Sequence, residues 1–163
     1  MGKFTVSHDL HGEPAAFFGW FFDRSRAEDL YQGHLGYVDY STISLADADG
    51  QLTRTTTFAK QMSLPGPVAK LLGSGFRQTE DGQFNKSARV YQWKVTPSTI
   101  TDKLREEGTL RAEERGDGCR IIVDYELEAK VFGVGGLLES TFETNLREEW
   151  DQIAGFCNRQ AAA

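Results

Sequence analysis

The last third of the chain joins the clearest strand pattern in the sequence to one long amphipathic helix. From residue 119 to residue 131, apolar and charged side chains alternate, which is typical of a half-buried strand. After the glycine-rich segment 133–136, apolar residues recur every three or four positions, which is the period of a helix. They are Leu138, Phe142, Leu146, Trp150, Ile153 and Cys157. About 23 residues at ~1.5 Å rise give a helix of roughly 35 Å, long enough to cross a sheet.

Upstream of this unit, the sequence predicts one strand, two short helices and a series of hairpins. Residues 3–10 alternate and form the first strand. Pro14 opens a helix rich in phenylalanine, and a second short helix is predicted over 25–33 with Ser25 as its cap. Residues 37–61 form a hairpin with its turn at 47–50. The remaining elements are a short helix over 68–72 and strands over 75–80, 88–95 and 99–114, with breaks at 81–82, 97 and 116–118.

The order of these elements predicts an α+β domain of the helix-grip type. In this arrangement a curved antiparallel sheet of about six to seven strands closes around the long C-terminal helix. The two short helices after strand one would close one end of the sheet. The chain has 163 residues, of which 39% are hydrophobic, and this suits a single packed domain over 1–160 with a tail at 161–163.

Charge and hydropathy argue against two classes of partner. The formal net charge is −6, and lysines and arginines are scattered among carboxylates, so that a nucleic-acid partner is not expected. The longest strongly apolar run, 15–22, is far shorter than the ~18 residues of a spanning helix, and no stable membrane insertion is expected. The N-terminal residues lack a secretory pattern, and the expected location is therefore the cytoplasm.

No cofactor or metal site is expected from the motifs. Segment 133–136 lies between a strand and a helix, as a dinucleotide-binding loop does, but Leu138 occupies the third glycine position and no strand follows the helix. The three histidines are dispersed, and His8 is interpreted as a core histidine. Cys119 and Cys157 are expected to lie within one side-chain layer of each other as free thiols.

Three parts of the chain resemble the START-like or SRPBCC superfamily, and within it an uncharacterised bacterial family. They are residues 4–8 leading into 14–18, the proline-glycine break at 64–67, and the glycine-rich entry to the last helix at 132–139. That superfamily includes lipid-transfer domains, plant pollen-allergen proteins and polyketide cyclases. The resemblance implies a cavity between sheet and helix that holds a lipid, sterol, isoprenoid or polyketide-like molecule.

The predicted ligand-binding residues are aromatic, apolar and basic side chains that the strand and helix periodicity places on the inner face. Arg54 and Arg89 would each place a guanidinium toward the interior, where it needs a carboxylate or a ligand anion, and Glu106 is a candidate partner. An internal ion pair and recognition of an acidic head group both satisfy this requirement. The predicted ligand-binding set is Trp20, Arg54, Arg89, Tyr91, Trp93, Tyr125, Leu138, Phe142 and Leu146.

Three functions remain open at this point. The first is carriage or sensing of a hydrophobic small molecule in the cavity, with its mouth between the 65–67 loop, the start of the last helix and neighbouring hairpin tips. The second is a polyketide cyclase- or hydrolase-like enzyme that uses His8, Tyr91 or Arg89 as acid-base groups, although no catalytic signature is present. The third is a packed, ligand-free domain that works through protein contacts. The oligomeric state is open.

Overall fold

A computed structural model describes residues 2–162, with side chains described through Arg159. Seven strands form one antiparallel sheet in the order β1-β7-β6-β5-β4-β3-β2. Strands β1 to β7 are Gly2–Leu10, Asp39–Ala48, Gln51–Ala59, Gln78–Asn85, Val90–Pro97, Leu104–Arg115 and Gly118–Ala129. Helices α1 to α4 are Pro14–Phe21, Arg24–Glu28, Gly66–Leu72 and Gly135–Ala162, and a π-helical turn, Asp29–His34, follows α2. The predicted α+β fold, with two short helices after the first strand and a long C-terminal helix, is confirmed.

The short helices begin where local chemistry satisfies their first N–H groups. Pro14 stands at the start of α1, as predicted. The cap of α2 is Asp23 rather than Ser25, because the Asp23 carboxylate accepts a hydrogen bond of 2.9 Å from the Arg26 backbone N–H. The predicted helix over 25–33 is in fact α2 followed by the π-helical turn, which extends to His34.

Of two predicted hairpin turns, one is confirmed and the other is wrong. The hairpin turn at Asp49 and Gly50 is confirmed, with positive φ angles of 54° and 77°. Asp81 and Gly82, predicted as a turn, lie inside β4, and the chain reverses instead at residues 86–89. Asn85 stabilises this turn, since its side-chain oxygen accepts hydrogen bonds from the Ser87 hydroxyl and the residue 88 backbone N–H.

The apolar stripe of α4 packs onto the inner face of the sheet. Its members Leu138, Phe142, Leu146, Trp150 and Ile153 are all buried in the main core, and α4 contacts β1 and β7. The helix has 28 residues, about five more than the periodicity predicts. Among the described residues, every helix is too short or too polar to span a membrane.

The two cysteines are free thiols at one end of this interface. Cys119 is buried on β7, and Cys157 on α4 is partly buried against the same core. Burial, together with the neighbouring Cys119, raises the pKa of the Cys157 thiol to about 12.

Candidate functional site

The floor of the candidate site is a row of paired positions across six strands. In spatial order the row contains Arg54, Gly82, Trp93, Gly108, Tyr125 and Phe4. A Cβ atom at Gly82 would collide with the Tyr91 ring, and one at Gly108 would collide with the Trp93 indole. The two glycines therefore let large aromatic rings lie against the adjacent strands.

The next row on the same face carries two carboxylates. Glu80 on β4 and Glu106 on β6 both pair with Val95 on the strand between them. Because side chains two residues apart share a face, both carboxylates point the same way as Trp93. Glu106 is only 5% exposed, so its carboxyl group lies almost entirely out of water.

A cavity of about 50 Å³ lies between these rows and α4. This volume accommodates a few water molecules and is far smaller than a lipid or a polyketide. The lining is aromatic and charged rather than purely apolar. It comprises Phe21, Tyr31, Tyr37, Tyr40, Phe58, Lys60, Glu80, Tyr91, Trp93, Glu106, Tyr125, Leu146, Glu149, Trp150 and Ile153.

A buried ion pair links the end of β3 to α4 at one wall of the cavity. The Lys60 ammonium lies 2.7 Å from Glu149, and their side chains are 8% and 11% exposed. Lys60 also donates to the Asn145 side chain at 3.0 Å, and the Tyr37 hydroxyl donates to Glu149 at 2.6 Å. This carboxylate therefore has both a counter-ion and a hydroxyl donor.

A second ion pair links β3 to β4 beside the same cavity. Arg54 is 3% exposed and lies 3.7 Å from Glu80, and the Tyr91 hydroxyl donates to Glu80 at 2.8 Å. The guanidinium also donates to the Phe21 carbonyl at 3.0 Å and lies 4.9 Å from the centres of the Phe21 and Phe22 rings. Of the two roles considered for Arg54, the structure shows an internal ion pair, with Glu80 as its partner in place of Glu106.

Glu106 has a different environment from the other two carboxylates. The Gln78 side chain hydrogen-bonds to this carboxyl group, and among the described residues no protein group donates a hydrogen bond to its Oε1 atom. Burial raises the pKa of Glu106 to about 7; Lys60 opposes the rise, and the Glu80 and Glu149 carboxylates add to it. Burial also raises the pKa of Glu80. A carboxyl with a pKa near 7 exchanges its proton in the physiological range, and such shifts occur in functional sites as well as in buried ion-pair networks.

The structure brings together about half of the predicted ligand-binding residues. Tyr91, Trp93, Tyr125 and Leu146 line the cavity, and Arg54 lies beside it through Glu80. The remaining positions are separate from it: Leu138 and Phe142 are packed in the core near the start of α4, and Trp20 lines a cleft of about 170 Å³ with Leu10, Phe17 and Cys157.

The predicted inward orientation of Arg89 is wrong. Arg89 ends the β4–β5 turn with a positive φ of 56°, and this left-handed backbone breaks the alternation that would have aligned it with Tyr91 and Trp93. Its exposed side chain lies 3.6 Å from Glu114. His8, also considered as an acid-base group, lies 3.2 Å from Asp151 and is not among the cavity-lining residues.

Several residues of the site were missed by sequence reasoning. Glu149 carried a signal, because it lies three residues after Leu146 and four before Ile153, on the apolar stripe itself. Glu80 was hidden by the turn predicted at 81–82. Lys60 follows a strand with no local pattern, and the tyrosines of the π-helical turn and β2 reach the site only through the tertiary fold. Residues 65–67, predicted at the mouth, are not among the lining residues of this cavity.

Solved structures with the same fold cover nearly the whole chain. TTHA0849 from Thermus thermophilus is 15% identical, with a TM-score of 0.66 over 99% of each chain. The Zhui aromatase/cyclase from Streptomyces sp. R1128 is 10% identical, with a TM-score of 0.65 over 98% of this chain and 95% of its own. Ara h 8.0201 is 10% identical, with a TM-score of 0.61 over 96% and 97%. At these identities the likeness shows the fold alone.

Sequence comparison adds one assignment. No curated protein matches the chain. A family model described as "Protein of unknown function (DUF2505)" matches residues 5–159, and the chain therefore belongs to the DUF2505 family.

Proposed function

We propose that this protein binds a small molecule in the cavity between the sheet and α4, as a carrier or sensor. The proposal is carried by the buried polar cluster: Glu106, Glu80, Glu149 and Lys60 all line the same space beneath α4. Buried charge is costly, and an apolar core of the same volume would be at least as stable. A buried polar cluster that lines a cavity therefore favours recognition of a ligand. The resemblance to the START-like superfamily supports the same conclusion at the level of fold.

The cavity size restricts the ligand. About 50 Å³ leaves no room for a long-chain lipid, and even a compact ring requires one wall to move. The wall suited to movement contains Tyr40 and Phe58, which belong to a small cluster separate from the main core. Displacing it costs fewer contacts than opening the core. The proposed ligand is therefore a compact, mainly apolar molecule with one polar group.

Two measurements on the purified protein test this function. We expect native mass spectrometry to show a co-purified small molecule, and the neutral probe N-phenyl-1-naphthylamine to gain fluorescence on binding. Ile153→Trp, which fills the cavity, should abolish probe binding. Leu45→Trp, at an exposed position on β2, is the matched control and should leave binding unchanged. Absence of both a bound molecule and probe binding would contradict the proposal and support the ligand-free interaction domain.

A cyclase- or hydrolase-like enzyme is the second candidate, and one observation favours it. Glu106, with its pKa raised to about 7, and the Tyr91–Glu80 pair line one cavity and supply acid-base groups. These groups replace His8 and Arg89, which lie elsewhere. The co-purified molecule can be extracted and incubated with fresh protein. A change in its mass would favour the enzyme over the carrier.

A further inference from the structure

The buried site contains more negative than positive side chains. Three carboxylates line the cavity, and two cations neutralise two of them: Lys60 pairs with Glu149 at 2.7 Å, and Arg54 pairs with Glu80 at 3.7 Å. Within the described part of the chain, Glu106 is the cavity carboxylate that no cation pairs with. An ionised carboxylate at this depth requires a counter-charge.

Aromatic side chains neighbour the unpaired carboxylate in the sheet and line the same cavity. In the sheet register, Trp93 and Tyr125 both stand opposite Gly108 and are thus diagonal neighbours of Glu106. Their rings meet edge-on with centres 5.7 Å apart, and the Tyr91 ring stacks on Trp93 at 5.3 Å. Ring faces next to a carboxylate form the environment that attracts an organic cation.

Other ligand chemistries fit this environment less well. An anion would place a second uncompensated negative charge beside the ionised Glu106 in a medium of low dielectric. A neutral donor would satisfy the Glu106 Oε1 atom but leave the charge of the ionised form, which is present above about pH 7, uncompensated. A hard metal ion needs about six oxygen ligands, and rings occupy most of the remaining wall. A protonated amine supplies both the hydrogen-bond donor and the positive charge.

We propose that the ligand is an organic ammonium, a protonated amine on a compact apolar or aromatic body, and that the Glu106 carboxylate pairs with its nitrogen against the faces of Trp93 and Tyr125. This inference rests on the proposed function and names the ligand class of the same site. The apolar part of the ligand occupies the space that Tyr40 and Phe58, the movable wall of the cavity, now fill.

Binding of a cation is coupled to a proton at Glu106. The charged groups that act on this carboxyl are Lys60 after β3, Glu80 on β4 and Glu149 on α4, with Arg54 paired to Glu80. The titratable hydroxyls of Tyr91 on β5 and Tyr125 on β7 line the same cavity. Burial raises the pKa of Glu106 to about 7. An ammonium binds the ionised form, so affinity rises with pH up to about 7 and is level above it.

The test compares three probes of similar shape: benzylammonium, benzyl alcohol and benzoate. Each is titrated at pH 6 and pH 8, with the Trp150 indole N–H resonance as reporter, because this group donates to the Tyr125 hydroxyl at 2.6 Å beside the site. At pH 8 we expect benzylammonium to bind roughly tenfold tighter than benzyl alcohol, and benzoate to bind most weakly. Benzylammonium should bind more weakly at pH 6.

Two variants assign this preference to one carboxyl. Glu106→Gln keeps the shape and should bring benzylammonium to the affinity of benzyl alcohol at both pH values. Glu107→Gln, at the neighbouring position with its side chain toward Lys94, should behave as the wild type. The probe comparison on the wild-type protein stands even if Glu106→Gln fails to fold.

The remaining outcomes distinguish failure of the ammonium assignment from failure of the proposed small-molecule binding. Equal or tighter binding of benzyl alcohol or benzoate would overturn the ammonium assignment and leave small-molecule binding intact. Failure of all three probes, with N-phenyl-1-naphthylamine still bound, would also overturn the assignment alone. Failure of every probe, including N-phenyl-1-naphthylamine, would overturn both.

Discussion

Burial of one carboxyl links the stability of this protein to pH. The pKa of Glu106 rises from an ordinary value of 4.5 to about 7 in the folded chain, chiefly because burial disfavours the charged form. Between these values the folded state holds a proton that the unfolded chain has lost. Stability therefore falls as pH rises from about 4.5 to about 7, and the full loss remains above that range.

Replacing Glu106 by glutamine, its neutral isostere, should remove the loss of stability at high pH. We expect Glu106→Gln to raise the free energy of unfolding by about 2–3 kcal/mol at pH 8 and to change it little near pH 4.5. Urea denaturation at the two pH values measures this. Because burial also raises the pKa of Glu80, the difference from the wild type, rather than the wild-type slope, isolates Glu106.

The neighbouring residue provides the control for this experiment. Glu107 lies on the outer face of the same strand, and Glu107→Gln should change stability by no more than about 0.5 kcal/mol at either pH. An equal effect of the two substitutions at pH 8 would show that the loss does not arise from burial of Glu106.

At the level of elements, local periodicity was sufficient for β7 and α4 and insufficient for β4. The alternation over 119–131 and the stripe from Leu138 to Ile153 report burial directly, and both elements form as predicted. The Asp81–Gly82 step carries the local chemistry of a turn, but a strand forms there. The deciding contact is made across strands, since the glycine makes room for the Tyr91 ring of the next strand. Lys60 and Glu149 likewise meet only through the tertiary fold.

The same reasoning predicts that the inner-face glycines cannot carry a side chain. In Gly108→Ala, the new methyl group would collide with the Trp93 indole, and we expect a loss of about 1–3 kcal/mol together with a changed near-ultraviolet circular dichroism spectrum. Gly19→Ala is the matched control, because it lies on an exposed face of α1 with open space around its Cβ position. It should be neutral or slightly stabilising. Equal stability of both variants would exclude this packing role for Gly108.

Considered as a whole, the molecule consists of a sheet and a long helix held together by apolar contacts and a few buried polar links. Trp150 on α4 donates to the Tyr125 hydroxyl on β7 at 2.6 Å. Lys60 at the end of β3 pairs with Glu149, the preceding residue of α4. All four residues line the cavity, and these two polar connections from the sheet to the helix constrain how far α4 can move when a ligand enters.

The Lys60–Glu149 connection should therefore couple the two layers energetically. Lys60→Met leaves Glu149 buried with the Tyr37 hydroxyl as donor but without this counter-ion, and we expect a loss of about 3 kcal/mol. Adding Glu149→Gln should recover part of that loss, giving a coupling of about 2 kcal/mol in a double-mutant cycle measured by urea denaturation. The exposed Lys94–Glu107 pair, treated in the same way, should show at most about 0.5 kcal/mol. A coupling at Lys60–Glu149 as small as this would mean that the pair does not tie α4 to the sheet.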